Sequence, residues 1–359
     1  MAVPGGNYRE MLAGALSILS LFEKALRKMT ETATLDLTAI DGRLLEASLP
    51  PRTCVELMRK AMIEVSAGGA SLPDRRAFDA PGGAGKFGVM PGGSVGLSRY
   101  GVKIVSFFPA RGECGHSTHS GLYLLFDAQT GRPLAAMDAG RLTAIRTAAV
   151  TALATQTLAA RTETIAILGA GEQAERHIRT LRATLRVDRF RLWGRRRASA
   201  ERLAKALART GIDVEVVDSV KSATSGADVI CTCTSAIDPV LTNDDVDDGV
   251  HVNLIGASFP DRAEADARLV ARGRLVVDFR PAALAQAGEV KRAIEAGLIG
   301  PSHIACELGA VLAGDCPGRE SDDQVTIYKS LGVAAQDVAA ASHAYDSIQG
   351  ASASSLLQL

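Results

Sequence analysis

The chain has few aromatic residues: Phe, Trp and Tyr make up 4% of its 359 positions, and there is one Trp. So few aromatics argue against a sandwich core, and the 35 glycines favour close helix–strand packing. Net charge is also absent, with 40 Lys+Arg against 40 Asp+Glu. A balanced chain exerts no global pull on nucleic acid or an anionic membrane, so neither partner is expected. The cysteines, at positions 54, 114, 231, 233, 306 and 316, form no CxxC pair, and the histidines show no HxxxH or HExxH spacing. No metal site or disulfide framework is expected, and this cysteine usage points to a reduced, cytoplasmic protein. Long apolar runs are missing as well. Met11–Phe22 is the longest candidate and contains two serines. A spanning helix needs about 20 apolar residues. The following EKALRKM offers no small-residue cleavage site, so a signal peptide is not expected. Residues 1–33 read as an amphipathic helical extension.

What is present is an ordinary globular composition, 47% apolar and 22% charged. At roughly 150 residues per domain the length suggests about two domains. Pro50–Ser66 reads as a helix, with Val55, Met58, Met62 and Val65 at spacings of three or four. Lys86–Met90, Val102–Phe108, Gly121–Phe126 and Pro133–Met137 read as strands, the last two joined by DAQTGR. An Ala-rich helix is predicted over Thr143–Ala159. From Thr162 short apolar strands alternate with helices, which signifies a parallel sheet with right-handed crossovers. Gly332–Gln349 is again helical. The predicted fold is α/β: a Rossmann-type domain over 156–305, inserted into a mixed α+β substrate and dimerisation domain made of 34–155 and 306–359.

The strongest motif is IAILGAGEQA, a GxGxxA turn directly after a strand and before a helix. Gly169 makes the turn, Gly171 allows backbone to approach a pyrophosphate, and Ala174 lets the helix pack on the strand. The helix start would supply free N–H groups to the anion. Cofactor choice depends on the end of the next strand, which reads Trp193-Gly194-Arg195-Arg196-Arg197. An NAD site usually carries Asp or Glu there. Glycine followed by arginines favours the 2′-phosphate of NADP(H), with NAD(H) as the alternative. The structural alternative is a solvated helix start, slightly disfavoured because cations there oppose the helix dipole.

A second constellation lies outside this unit. Arg75 lies in the LPDRR run at 72–76, and Lys103 and Arg146 sit in otherwise apolar stretches. Arg146 lies within TAIRTAAVTALA, where a charge is expensive unless paired. Such a cation meets either a carboxylate side chain or a ligand. Together the three look like a clamp for a substrate carboxylate.

Taken together, these stretches resemble the ornithine cyclodeaminase/mu-crystallin family. The likeness runs from about residue 35 to 345 through PDR at 73–75, GVMP, GVKIVSFF, Thr118-His119, LLFDAQTGRPLAAMDAG, LTAIRTAAVTALAT, LGAGEQA, ADVICTCTSA, VNLIGASFPDRAEAD, ELGAVLAGD and TIYKSLGVAAQD. The resemblance implies that Arg75 and Arg146 hold an α-carboxylate and that Lys103 moves a proton beside the nitrogen. Met90 and Ser258 would also line the substrate. Thr118, His119, Arg146, Thr147, Gly169, Gly171, Glu172, Gln173, Gly194, Arg195, Arg196, Arg197, Thr234, Ser235, Ile255, Ser330 and Leu331 fall on cofactor-lining positions. A homodimer is implied, its interface on the β-rich domain.

One departure separates branches of the family. Cyclodeaminases carry GxDxPG near position 256, and its aspartate serves the deamination. Here the segment is Gly256-Ala-Ser258-Phe-Pro260, and serine cannot act as that base at neutral pH. The sequence therefore resembles the ketimine-reductase and mu-crystallin branch. The expected activity is NAD(P)H-dependent reduction of a small imino or cyclic ketimine carboxylate, reversible in principle. The rivals are a cyclodeaminase and a non-catalytic NADP-dependent ligand-binding protein. Gly314-Asp-Cys-Pro-Gly318 mimics the cyclodeaminase motif but follows ELGAVLA, so it reads as a structural turn. Asp261 reads as a helix start. Like-charge repulsion from two arginines should depress the Lys103 pKa.

Overall fold

The computed structural model describes residues 37–108 and 119–356, without the side chains of His119 and of residues 351–356. The extension expected over 1–33 and Thr118, expected to line the cofactor, lie outside the described residues. Among the described residues the strands form two sheets.

The first sheet begins with β1 (Thr38–Ile40), followed by α1 (Gly42–Ser48) and α2 (Pro51–Ser66). Asp41 starts α1 by accepting from the backbone N–H groups of Arg43 and Leu44. In α2, Cys54, Val55, Met58, Ala61, Met62 and Val65 make the buried face at the spacing the sequence predicts. Next come β2 (Ala70–Ser71), β3 (Arg76–Asp79), β4 (Lys86–Ser94), β5 (Arg99–Phe107), β6 (His119–Asp127) and β7 (Pro133–Asp138). Their order is β1-β7-β6-β5-β4-β2, with β3 also on β4. Strands β4 to β7 form an antiparallel meander. Helix α3 (Ala139–Leu158) starts before the predicted Thr143, because Asp138 caps it by accepting from the Arg141 N–H. Nearly every residue of α3 is buried, which explains its alanines: they let it pass between neighbours.

The second sheet is parallel throughout. It is built from β8 (Thr164–Leu168), α4 (Glu172–Thr184), β9 (Arg189–Trp193), α5 (Arg197–Ala208), β10 (Glu215–Val216), α6 (Val220–Thr224), β11 (Val229–Thr232), β12 (His251–Leu254), α7 (Ala267–Arg272), β13 (Arg274–Val277), α8 (Arg280–Gln286), α9 (Gly288–Glu295), β14 (Ile304–Glu307), α10 (Leu308–Ala313) and β15 (Thr326–Lys329). The strand order is β10-β9-β8-β11-β12-β15-β13-β14. It reverses between β8 and β11, and the crevice at such a reversal is where open α/β sheets take their ligands. The sheet runs past residue 305: β15 lies between β12 and β13 and carries Lys329–Leu331 to the same edge. Helix α11 (Ala334–Leu356) then crosses back and packs on α2, β4 and β5.

Two local expectations are corrected. Asp261 does not start a helix; Asp266 caps α7 instead, accepting from the Leu269 N–H at 2.8 Å. Cys306 on β14 and Cys316 form a disulfide, their Cα atoms 6.4 Å apart. They stand ten residues apart, and the turn that ends α10 at Gly314 (φ +85°) brings the second back to the first. The GDCPG run is thus part of a structural turn.

Candidate active site

The glycine turn sits at the end of β8. Gly169 has φ +121°, and a Cβ there would come within 2.3 Å of the Cys233 carbonyl, so only glycine fits. Gly171 caps α4 with nothing within 4 Å of its would-be Cβ. Gly171 itself has no side chain with which to cap the helix start. Glu172 and Gln173 form the first turn, and Ala174 is fully buried behind it. Gly194 closes the same crevice: a Cβ there would stand 3.1 Å from the Ala170 Cβ, and Gly169 N–H donates to the Trp193 carbonyl at 2.8 Å. This open cradle at the strand-order reversal fits a dinucleotide pyrophosphate.

The three arginines beyond Gly194 are exposed and are not equivalent. Arg197 is drawn to Glu201 at 2.8 Å and to Asp218. Arg195 and Arg196 make no ion pair among the described residues.

The loops after β11 and β12 bring up Thr234, Ser235, Ile255 and Ser258. Thr234 donates through both N–H and hydroxyl to Glu264 at 2.7 Å. The Ser235 carbonyl accepts from Arg262 at 3.0 Å, and Ile255 is buried with its N–H on the Thr232 carbonyl. Past β15, Ser330 N–H donates to the Leu254 carbonyl at 3.0 Å. The Leu331 and Gly332 N–H groups both donate to Asp278 at 2.7 Å. Thr147 is buried on α3 beside Arg146.

The three cations converge at this edge. Lys103 and Arg146 are 2% and 3% exposed, and both meet Asp337 in the first turn of α11. Lys103 Nζ lies 2.8 Å from Asp337 Oδ2 and 3.2 Å from Thr143 Oγ1. Arg146 donates from Nε to Asp337 Oδ1 at 2.9 Å and from Nη1 to Gln336 at 2.9 Å. The carboxylate that the sequence left unnamed is thus a side chain of this chain. Arg75 reaches across to the loops after β15 and β12, donating to the Leu331 carbonyl at 3.3 Å and to the Ser258 carbonyl. Ser258 therefore bears on the site through its backbone oxygen. Met90 is half-buried and stands directly opposite Lys103 across β4 and β5. His119 opens β6, paired with Phe107, and nothing further is described of it. Gly332 is required here: φ is +77°, and a Cβ would stand 2.6 Å from Arg146 Nη1.

These contacts set the protonation states. Lys103 is pushed down to about 8, chiefly by burial, with Arg146 and Arg75 adding to the fall and Asp337 opposing it. The direction matches the sequence expectation; the leading cause is desolvation, ahead of like-charge repulsion. Burial pushes the Asp337 carboxyl up, but Lys103 and Arg146 together hold it below its ordinary value. Asp278 is raised by burial, against its backbone N–H partners and Arg75. Sequence reasoning missed Asp337, Gln336, Asp278 and Glu264. The first two stand in the GVAAQD stretch of the family-like sequence, and the signal there was a carboxylate among alanines.

A parallel sheet with an open glycine cradle at its reversal point defines a Rossmann-type dinucleotide-binding fold, here joined to a buried cluster of cations. More particularly, the chain belongs to the ornithine cyclodeaminase/mu-crystallin family, whose model matches residues 45–352. It is 38% identical to the ketimine reductase mu-crystallin of Mus musculus over 281 residues, 78% of this chain and 86% of that protein. It is 34% identical to the delta(1)-pyrroline-2-carboxylate reductase of Bacillus cereus over 261 residues, 72% of this chain and 80% of that protein. Among solved structures, the Thermococcus litoralis delta(1)-pyrroline-2-carboxylate reductase in complex with NADH and L-proline superposes with a TM-score of 0.83 at 28% identity, covering 86% of this chain and 97% of that one.

Proposed function

We propose that the chain is an NAD(P)H-dependent reductase of small imino or cyclic ketimine carboxylates, forming an amino acid from a C=N substrate and able to run in reverse. One observation carries this reading: three cations, Arg75, Lys103 and Arg146, face two carboxylates, Asp337 and Asp278, beside an open dinucleotide cradle. One positive charge is left over, which suits a substrate with one carboxylate. The family and its reductase relatives support the same reaction class.

In this reading Arg75 and Arg146 hold the α-carboxylate, and fixing the substrate face supplies a large part of catalysis. Met90 and Ser258 border the same space. Lys103, with a pKa of about 8, is mostly protonated at neutral pH and can pass a proton from Nζ to the imine nitrogen. Asp337 keeps that proton on Lys103 by opposing the desolvation. When bound, the reduced nicotinamide supplies a hydride to the C=N carbon. The Gly169–Gly171 turn and the start of α4 hold the pyrophosphate. Thr147, Thr234, Ser235, Ile255, Ser330 and Leu331 complete the cofactor lining. Arg195 and Arg196, which have no carboxylate partner among the described residues, take a 2′-phosphate, which favours NADP(H) over NAD(H). Arg197, already paired, is left out of that role.

The cyclodeaminase rival needs a carboxylate free to act as base. Among the described residues, Asp337 is held by two cations and Asp278 by three backbone N–H groups, and position 258 is serine. A homodimer is part of the proposal. The outer face of the first sheet exposes Tyr100, Ile104 and Leu122 at 40%, 42% and 55%, with Ile104 and Leu122 directly opposed. A second copy would cover this apolar face.

The test follows reduced-nicotinamide absorbance with NADPH and, separately, NADH against a panel of cyclic ketimines and of 2-oxo acids with ammonia or methylamine. Imine-dependent oxidation, faster with NADPH, is expected. Faster oxidation of NADH would overturn the cofactor preference and keep the reaction. No oxidation with any imine would remove the reductase reading. Ammonia release from ornithine or lysine would then favour the cyclodeaminase, and tight NADPH binding without turnover the binding protein.

A further inference from the structure

Four residues at the ends of β11 and β12 turn their donors toward one carboxylate. Glu264 is fully buried on the segment between β12 and α7. Its Oε1 accepts from the N–H and hydroxyl of Thr234, both at 2.7 Å. Its Oε2 accepts from the Thr232 hydroxyl at 2.8 Å and from the N–H groups of Gly256 at 2.6 Å and Ala257 at 3.1 Å. An ionised carboxylate is acceptor-only and offers about four lone-pair sites, so it suits a ring of donors. The loops also approach too closely for a side chain between them. A Cβ on Gly256 would stand 2.0 Å from the Thr234 carbonyl and 2.6 Å from Glu264 Oε1.

Glu264 is itself braced. Its N–H donates to Glu289 at 3.1 Å, and buried Lys329 bridges Glu289 to the Ala257 carbonyl at 2.6 Å. One residue past Ala257, the Ser258 carbonyl accepts from Arg75, which also holds the Leu331 carbonyl. A bonded path therefore runs from Thr234 through Glu264 to Ala257, Ser258 and Arg75. Its first end lies at the proposed cofactor loops and its last at a proposed carboxylate-binding cation.

We propose that Glu264 is a positioning residue that couples dinucleotide binding to the placement of Arg75. In the proposed site it touches neither ligand; it fixes the two loops as one body. Dinucleotide on those loops therefore tightens carboxylate binding, and by linkage the carboxylate tightens the dinucleotide equally. The identity of the two ligands rests on the reductase reading.

The experiment measures Kd for pyrrole-2-carboxylate, a planar carboxylate that hydride does not reduce, with and without NADPH, by calorimetry on the full chain. In the unaltered protein NADPH should tighten it by about tenfold, a typical coupling. Glu264→Gln leaves an NH₂ facing at least one backbone N–H that cannot turn away. In that variant the ratio should fall below about twofold, while Kd without NADPH changes by less than about threefold. A merely structural lesion would lower Tm and weaken both constants together, leaving their ratio intact. A folded Glu264→Gln protein with the original ratio overturns the proposal, as does a ratio of one in the unaltered protein. If Glu264→Gln does not fold, Thr232→Val removes one donor at nearly constant volume. It must then lower the ratio by about threefold, and an unchanged ratio overturns the proposal. Turnover of the unaltered protein is assayed alongside: its absence removes the reductase reading while the binding ratio still judges Glu264. Failure of pyrrole-2-carboxylate to bind the unaltered protein at all overturns both.

Discussion

Replacing Lys103 by Met should separate activity from stability. The ammonium is 2% exposed and held at a pKa of about 8, against 10.5 for the free side chain. That difference corresponds to roughly 3 kcal/mol by which folding disfavours the charged form. The sign follows from proton linkage. Between the two values the unfolded chain binds more protons, so this group's contribution to stability rises with pH there. Below pH 8 the cost is present in full; it fades as pH approaches 10.5. The stability difference between Lys103→Met and the parent should therefore shift by about 2 kcal/mol in the parent's favour between pH 7 and 9.5. Whatever the Met side chain gains or loses in packing cancels in that comparison. Urea unfolding at several pH values measures it, and imine-dependent turnover is followed in parallel. Loss of a general acid should lower kcat by about 10²- to 10⁴-fold. Two stability–pH curves that run parallel would refute the depressed pKa. Unchanged turnover would remove Lys103 from the mechanism.

Asp337→Asn should cost about 3–5 kcal/mol of stability, because it leaves two buried cations without their carboxylate. If the variant folds, its Lys103 pKa should drop further, moving the alkaline loss of kcat to lower pH; a pH–rate profile reads this directly. Gly332→Ala should raise KM for the imine more than for the cofactor and cost about 1–3 kcal/mol, since it forces a positive φ against the Arg146 guanidinium. Steady-state kinetics and thermal melting check it, and an unchanged KM would count against Arg146 as a carboxylate ligand. Joint replacement of Arg195 and Arg196 by Ser should weaken NADPH by roughly 10- to 100-fold and leave NADH nearly unchanged, whereas Arg197→Ala should affect neither. Cofactor titrations decide among the three. Ile104→Glu should convert the proposed dimer to a monomer in sedimentation, because it sets a charge in the apolar face opposite Leu122.

The fold was legible where its causes are local. The glycine turn lies between a strand and a helix that each show their own period, so its place at a sheet edge follows from neighbours in sequence. The Pro51–Ser66 helix follows from one apolar stripe. The extent of the parallel sheet was not local. Thr326–Lys329 is four residues long, and only pairing with β12 and β13 makes it a central strand. The Cys306–Cys316 bond has the same character, since a turn ended by a left-handed glycine closes it. Asp266, rather than Asp261, caps the following helix because the chain makes one more turn before α7.

The site was legible by half for a single physical reason. A cation in an apolar stretch demands a counter-charge, so Arg146 and Lys103 announced that an anion existed without naming it. Asp337 gave the weaker signal: an acidic residue in a first helical turn is favoured there anyway by the helix dipole. Only the return of α11 across the first sheet sets that carboxylate 2.8 Å from Lys103 and 2.9 Å from Arg146. Its position also limits how far the Lys103 pKa falls. Burial alone would drive the amine toward neutrality, and two neighbouring guanidinium groups would drive it further. Asp337 opposes both, so the amine keeps its proton near neutral pH while remaining able to release it. A proton donor poised in this way requires all four residues, drawn from the loop before β3, from β5, from α3 and from α11, and no stretch of sequence contains them together.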